Sequence, residues 1–303
     1  MSDATSHEIS ITRMIDAPPE VVFKAWTEAE QLAKWFGPEG FTVPSVDSDP
    51  RPGGAFSLVM RGPDGSDNAM TGVYREFDPP RRLVTESTAS GPDGRPALEA
   101  VMTLTLTDHD GKTELMVHER ATALIPDAGP MLGGMEVGML QSLRRLDDVL
   151  TGAVDRQIVL SRMYEAPRER VFDAFTAVEH LQQWWGPDGF TITSDEFDMR
   201  PGGVWRFTMH GPDGVDYPNV ITYRDVTRPD LLTYEHTSQP EDDDPGFEVT
   251  ATFDEFMGTT ILTMRMVFAS PGDRDFVVEK YHAAEGGKQT MERLNEFLKA
   301  RHD

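Results

Sequence analysis

One pattern runs through this chain twice, and that repeat constrains the fold more than any other feature. ITRMIDAPPEVVFKAWTEAEQLAKWFGPEGFT, from Ile11, matches LSRMYEAPRERVFDAFTAVEHLQQWWGPDGFT, from Leu160, without a gap at an offset of 149. Carried on to Gly54 and Gly203, the register holds 23 identities in 44 positions by direct count. Arg51-Pro52-Gly53-Gly54 answers Arg200-Pro201-Gly202-Gly203, and Gly62-Pro63-Asp64-Gly65 answers Gly211-Pro212-Asp213-Gly214. Near the end of each copy, Gly138 to Leu143 aligns with Gly286 to Met291 at an offset of 148. A period of this length describes two copies of one ordinary domain rather than a solenoid of short units. The expected domains are 7–150 and 156–303, joined around Gly152. A linker that short predicts two copies in contact across a pseudo-two-fold, an intramolecular pseudo-dimer.

Each copy reads alike. An alternating strand, Glu8 to Ile15 or Gln157 to Tyr164, runs into Ala-Pro, and proline suits the first turn of a helix. Val22, Phe23 and Trp26, then Leu32, Trp35 and Phe36, fall at helical spacing before Gly37-Pro38 ends the run. Strands joined by Gly-Pro-Asp-Gly turns follow. In them Phe56, Leu58 and Met60, and again Trp205, Phe207 and Met209, alternate with polar or small residues, so one face is apolar and the other wet. Each copy closes on a long amphipathic helix, expected over about Pro130–Leu150 and Asp273–Ala300. A curved sheet with a single apolar face needs a cover, and only the closing helix is long enough to supply it. The fold class is therefore α+β, with two tandem domains, each a curved antiparallel sheet wrapped around a long C-terminal helix.

The motifs W-[FW]-G-P-[ED]-G-F, R-P-G-G and G-P-D-G, at Trp35–Phe41, Arg51–Gly54 and Gly62–Gly65 and again 149 residues later, resemble the family related to the C-terminal domain of the activator of the Hsp90 ATPase. That family belongs to the START/Bet v 1-like helix-grip group, and the resemblance covers nearly all of both copies. It implies an apolar cavity between sheet and long helix. The group includes lipid and hormone carriers, polyketide cyclases, antibiotic self-resistance proteins and chaperone activators, so three functions follow from the resemblance. The leading one is binding or sequestration of a small apolar molecule; the alternatives are a cyclase-like or hydrolytic enzyme and a chaperone co-factor. Both halves read as the C-terminal type, so no separate N-terminal chaperone-binding domain of the kind that the eukaryotic activator carries is expected.

Composition narrows the partners. Lys plus Arg is 28 and Asp plus Glu 52, a balance of −24, so the chain's own field opposes binding to nucleic acid. With no cysteine there are no disulfides, thiolate metal sites or cysteine nucleophiles. No run approaches the roughly 20 apolar residues of a membrane span, and MSDATSHEIS lacks the features of a signal peptide, so the expected location is cytoplasmic. There is no G-x-S-x-G, no H-E-x-x-H and no phosphate-binding loop. Eight dispersed histidines make a metal site improbable, and no cofactor is expected. Glu241 to Asp244 reads as a solvated hairpin tip.

Candidate ligand-binding residues lie on the apolar faces. In copy one they are Trp35, Phe56, Leu58, Met60, Met102, Met135 and Met139. In copy two they are Trp184, Trp205, Phe207, Met209, Met264 and Met266, with Tyr223, Tyr234, His236 and Tyr281 as donors. Plain core packing is the competing reading for each. Glu119 stands out because the strand register sets it on the face where copy two has Met266, and a buried carboxylate is costly unless paired or protonated. Of each aromatic pair, Trp35–Phe36 and Trp184–Trp185, one member is expected to anchor its helix and the other to stand half exposed at a cavity mouth. Glycines at 133, 134, 138, 286 and 287 weaken the closing helices by about 1 kcal/mol each relative to alanine, which calls for either close approach to the sheet or a hollow. Because copy one has Leu58 and Thr85 where copy two has Phe207 and Tyr234, the roomier cavity is expected in copy one.

Overall fold

In each domain the first strand ends on a threonine lock. Thr113 donates its hydroxyl to the carbonyl of Ala17, and Thr260 donates to that of Ala166, both at 2.6 Å. Both threonines are buried, so these hydroxyls satisfy carbonyls that have left the sheet ladder. The chain turns there into its first helix, with Pro18 or Pro167 at the N-cap. The structure, a computed structural model, describes residues 5–91, 93–237 and 245–301. It divides into two units, Met1–Gly152 and Ala153–Asp303. Glu241 to Asp244, expected as a hairpin tip, lie outside the described residues.

In the first domain, β1 (Ser6–Ile15) is followed by α1 (Pro19–Thr27) and α2 (Ala29–Trp35). Six strands come next: β2 (Thr42–Ser48), β3 (Ala55–Arg61), β4 (Asp67–Asp78), β5 (Arg82–Ser90), β6 (Pro96–His109) and β7 (Lys112–Ala123). They form one antiparallel sheet in the order β1-β7-β6-β5-β4-β3-β2, so β1 adds to the far edge and the rest is a meander. The second domain repeats this with β8 (Gln157–Tyr164), α5 (Arg168–Asp173), α6 (Val178–Trp184) and β9 (Thr191–Phe197). Its remaining strands are β10 (Val204–His210), β11 (Asp216–Thr227), β12 (Leu231–Thr237), β13 (Phe247–Phe256) and β14 (Thr259–Phe268), in the order β8-β14-β13-β12-β11-β10-β9.

The R-P-G-G turn is shaped by close approach. A side chain on Gly54 would collide with the carbonyl oxygen of Asp49, and one on Gly203 with that of Asp198. The arginine of the motif clamps the same aspartate, Arg51 to Asp49 at 2.7 Å and Arg200 to Asp198 at 2.8 Å. Glu86 and Glu235 pair with Arg75 and Arg224 on the neighbouring strand, at 2.7 and 2.5 Å.

The closing helices differ from the expected single rods. In the first domain α3 (Gly129–Gly133) and α4 (Met135–Leu150) part at Gly134. In the second, α7 (Pro271–Tyr281) and α8 (Ala283–Ala300) part at His282, whose φ of 51° and ψ of 38° are left-handed. In the first domain the apolar stripe Leu132, Met135, Met139 and Leu143 runs across the break, which is why a reading of spacing alone joins the two pieces. Ser270 caps α7 by accepting from the Asp273 amide at 3.2 Å.

Packing separates the two domains. The second has one continuous core in which Trp184, Trp205, Phe253 and Leu294 all take part. The first has a main core around Trp35, Leu58, Leu104 and Leu143, and a smaller one in which Leu132 of α3 meets Leu98 and Ala121.

Candidate functional site

In the second domain the strands alternate as the sequence requires, and their inward residues floor a hollow. Strand β12 turns Leu232, Tyr234 and His236 to one face, while β11 turns Asn219, Ile221 and Tyr223 the same way. Helices α7 and α8 cover that face with Phe276, Val277, Tyr281, Gly286 and Gly287, and the loop Trp185–Phe190 closes a side wall. Between them lies a cavity of about 1070 Å³. This is the size range of small-molecule sites, with a predominantly apolar lining and a few polar groups.

The wall loop carries the W-G-P-D-G-F motif, and the closing helix holds it in place. Arg293 donates to the carbonyls of Gly186, Pro187 and Phe190 at 2.9, 2.8 and 3.1 Å. Gln289 accepts from the Asp188 amide at 3.1 Å. The first domain does the same with Arg145, which reaches the carbonyls of Gly37 and Pro38 at 2.9 and 3.0 Å, and with Gln141, which accepts from Glu39 at 3.1 Å. The motif is thus a loop tied to the closing helix, a role that the sequence reading missed because its partners lie more than 100 residues away.

Tyr234, His236 and Asn219 are among the polar side chains that line the cavity from the sheet. Tyr234 is 4% exposed, and burial pushes its hydroxyl well above the usual tyrosine range. His236 stacks on Phe247 with ring centroids 4.6 Å apart, and burial lowers its pKa to about 4, so the ring is neutral near pH 7. Neither has a hydrogen-bond partner among the described residues. Asn219 donates to the carbonyl of Tyr217 at 2.7 Å, which leaves its own oxygen as an acceptor.

Seven of the predicted residues of copy two line this cavity: Phe207, Met209, Tyr234, His236, Met264, Met266 and Tyr281. Trp184 does not. It is 1% exposed and donates its indole N–H to the carbonyl of Ala174 at 3.1 Å, so it anchors the helix while its neighbour Trp185 lines the hollow. Trp205 stacks on Phe207 at 4.0 Å and donates to Ser194, and Tyr223 lies beneath Tyr234 with ring centroids 6.2 Å apart. Phe190, Tyr217, Asn219 and Phe247 also line the cavity, and alternation along β11 and β13 could have found the last three.

The first domain arranges its candidates differently. Trp35 is buried and donates to Ala25 at 3.0 Å. Leu58 and Met139 are core residues, with Phe56, Met60 and Met102 packed against that core and Met135 against the smaller one. Glu119 is partly buried without a hydrogen-bond partner among the described residues, and desolvation pushes its carboxyl up to about 7. A hollow of about 690 Å³ in this domain lies largely on the outward face, among Arg75, Glu86, Thr88, Glu99 and Arg120, and of the predicted residues only Phe56 borders it.

Of these two spaces the larger is in copy two, and it is the one that lies between a sheet and its closing helices. The strand registers show how the two sheets differ at this end. One row across the first sheet reads Ser87, Ala100, Ala121, and the matching row of the second reads His236, Phe247, Phe268. Small residues let Leu132 of α3 settle on the sheet. In the second domain Phe268 joins the continuous core together with Val277 of α7.

Elsewhere, His210 bridges Asp216 at 2.7 Å and Thr193 at 2.8 Å. The order is acid, imidazole, hydroxyl, but the three side chains are exposed to solvent and join β9, β10 and β11 as a cross-strand staple. Among the described residues no group of three or more His, Asp or Glu is placed to hold a metal ion, and no helix is long and apolar enough to cross a membrane.

The profile of the family described as activator of Hsp90 ATPase homolog 1-like protein matches residues 16–151 and again 165–299. Solved structures similar to this chain include a solution structure of a protein from Arthrobacter aurescens, at 20% identity over 50% of this chain and 90% of that one, with a TM-score of 0.47. A crystal structure from Chromobacterium violaceum is 31% identical over 48% of this chain and 96% of its own, with a TM-score of 0.42. The AHSA1 protein from Silicibacter pomeroyi is 25% identical over 48% and 97%, with a TM-score of 0.42. Among curated proteins there is no significant match.

Proposed function

The chain belongs, through both of its domains, to the activator of Hsp90 ATPase homolog 1-like family, and from that premise we propose that it binds and sequesters a small apolar molecule, lipid-, polyketide- or antibiotic-like, in the second domain. The observation that carries this reading is the cavity of about 1070 Å³, lined by Phe207, Met209, Met264 and Met266 and closed by α7 and α8. Methionine and aromatic linings adapt to varied apolar shapes.

The test is a titration with 2-(dimethylamino)naphthalene, an apolar fluorophore. One molecule per chain is expected to bind at micromolar concentration with a blue-shifted emission and to raise the melting temperature, because a ligand of the native state stabilises it by mass action. Met209→Asp should abolish the shift, since a carboxylate on that wall carries a large desolvation cost; circular dichroism reports whether the variant is folded. Folded wild-type protein that leaves the fluorophore in water would end this reading and leave the exterior as the functional surface.

A further inference from the structure

Resting on the cavity reading, one feature of its floor goes further and specifies the ligand. Tyr234 and His236 stand two residues apart on β12, both pointing into the cavity, and neither is hydrogen-bonded by the described protein. Asn219, on the adjacent β11, adds a free acceptor oxygen beside them. Tyr234 is 4% exposed and lines the cavity, where its hydroxyl has no hydrogen-bond partner among the described residues. Polar groups that converge on the floor of an otherwise apolar cavity fix the orientation of a guest, so their chemistry says which guest fits.

We propose that the ligand of the second domain is an uncharged molecule with an apolar ring body and a ketone or hydroxyl group at one end, seated on Tyr234, His236 and Asn219, and that the cavity rejects the same skeleton carrying a carboxylate. Tyrosine and neutral imidazole each offer one donor, and the asparagine oxygen offers an acceptor, which together suit a carbonyl or hydroxyl. A carboxylate seated on these three groups would meet no cation on the sheet floor: burial keeps His236 neutral, and Asp188, Asp216 and Glu285 lie around the cavity. The one lysine of the lining, Lys280, stands over the rings of Phe276 and Tyr281, at 4.9 and 4.8 Å from their centroids. Discrimination of this kind is strong because a mismatched group leaves buried partners unsatisfied on both sides.

Three naphthalenes of one skeleton test it: 2-(dimethylamino)naphthalene, its 6-propionyl ketone and its 6-carboxylate, titrated by fluorescence into the full chain at pH 7.5. The ketone is expected to bind at least about tenfold more tightly than the carboxylate, the scale expected for one satisfied against one unsatisfied buried group. Tyr234→Phe, which keeps the ring, should pull the ketone down to the affinity of the parent naphthalene while leaving the parent unchanged. A carboxylate that binds as well as the ketone in the wild type overturns the inference without any variant. So does a ketone preference that survives both Tyr234→Phe and His236→Phe. If the parent binds but the three probes are alike, this inference falls and the cavity reading stands; if none binds, both fall.

Discussion

Gly287 of α8 lies so close to Leu160 of β8 that a β-carbon on the glycine would overlap the leucine Cδ1. Both residues line the cavity. Gly287→Ala gains about 1 kcal/mol of helix propensity and spends a comparable amount displacing the leucine from its rotamer. The leucine has one roomy direction to take, into the cavity. Thermal unfolding should therefore change by no more than about 1 kcal/mol, while affinity for the apolar naphthalene falls by roughly three- to tenfold. A melting temperature lowered by many degrees would mean that helix and strand, not the cavity, absorb the clash.

The paired tryptophans at the end of α6 should separate by assay. Trp184→Phe removes an indole that donates to the Ala174 carbonyl and leaves a gap in the core, a loss of about 1–3 kcal/mol. Trp185 meets Trp184, Trp205 and Phe207 through edge-to-face contacts, with one side on the cavity. Trp185→Phe keeps aromatic packing, so it should cost less stability than Trp184→Phe and more probe affinity. Denaturant unfolding and the naphthalene titration, run on both variants, check the reversal.

How much of this was legible beforehand depends on distance along the chain. The repeat, the alternation of Phe56-Leu58-Met60 and the Ala-Pro helix starts are local patterns, and all describe elements that form as read. The break at His282 was hidden because a left-handed residue other than glycine leaves no compositional mark. The tie between Arg293 and the wall loop spans more than 100 residues and surfaces only when the helix docks.

Glu119 should make the first domain's stability depend on pH. Its cross-strand neighbours are Ile9 and Met102, and burial raises its pKa from the ordinary 4.5 to about 7. The folded form therefore holds its proton more tightly than the unfolded form. Its contribution is fully present below about pH 4.5 and is lost as pH rises through about 7. Glu119→Met, which installs the residue that copy two carries at this register, should leave stability little changed at pH 4.5 and raise it progressively to pH 8. Melting curves of variant and wild type across that window, compared as differences so that other groups cancel, should diverge with rising pH; parallel curves would show that the carboxyl finds water.

Arg293 and Arg145 allow the wall loop to be tested with an internal control. Each arginine is tied to carbonyls of its own G-P-x-G loop, Arg293 in the domain with the large cavity and Arg145 in the other. Charge-assisted bonds of this kind contribute about 1.5–3 kcal/mol together with the packing of the stem. Arg293→Met and Arg145→Met should therefore each destabilise the protein by a similar amount. Only Arg293→Met frees the segment carrying Trp185 and Phe190, so only that variant should weaken the naphthalene at the second cavity. Equal loss of affinity in both would mean that the probe reports general loosening of the fold, and an unchanged affinity in Arg293→Met would place the loop outside the binding wall.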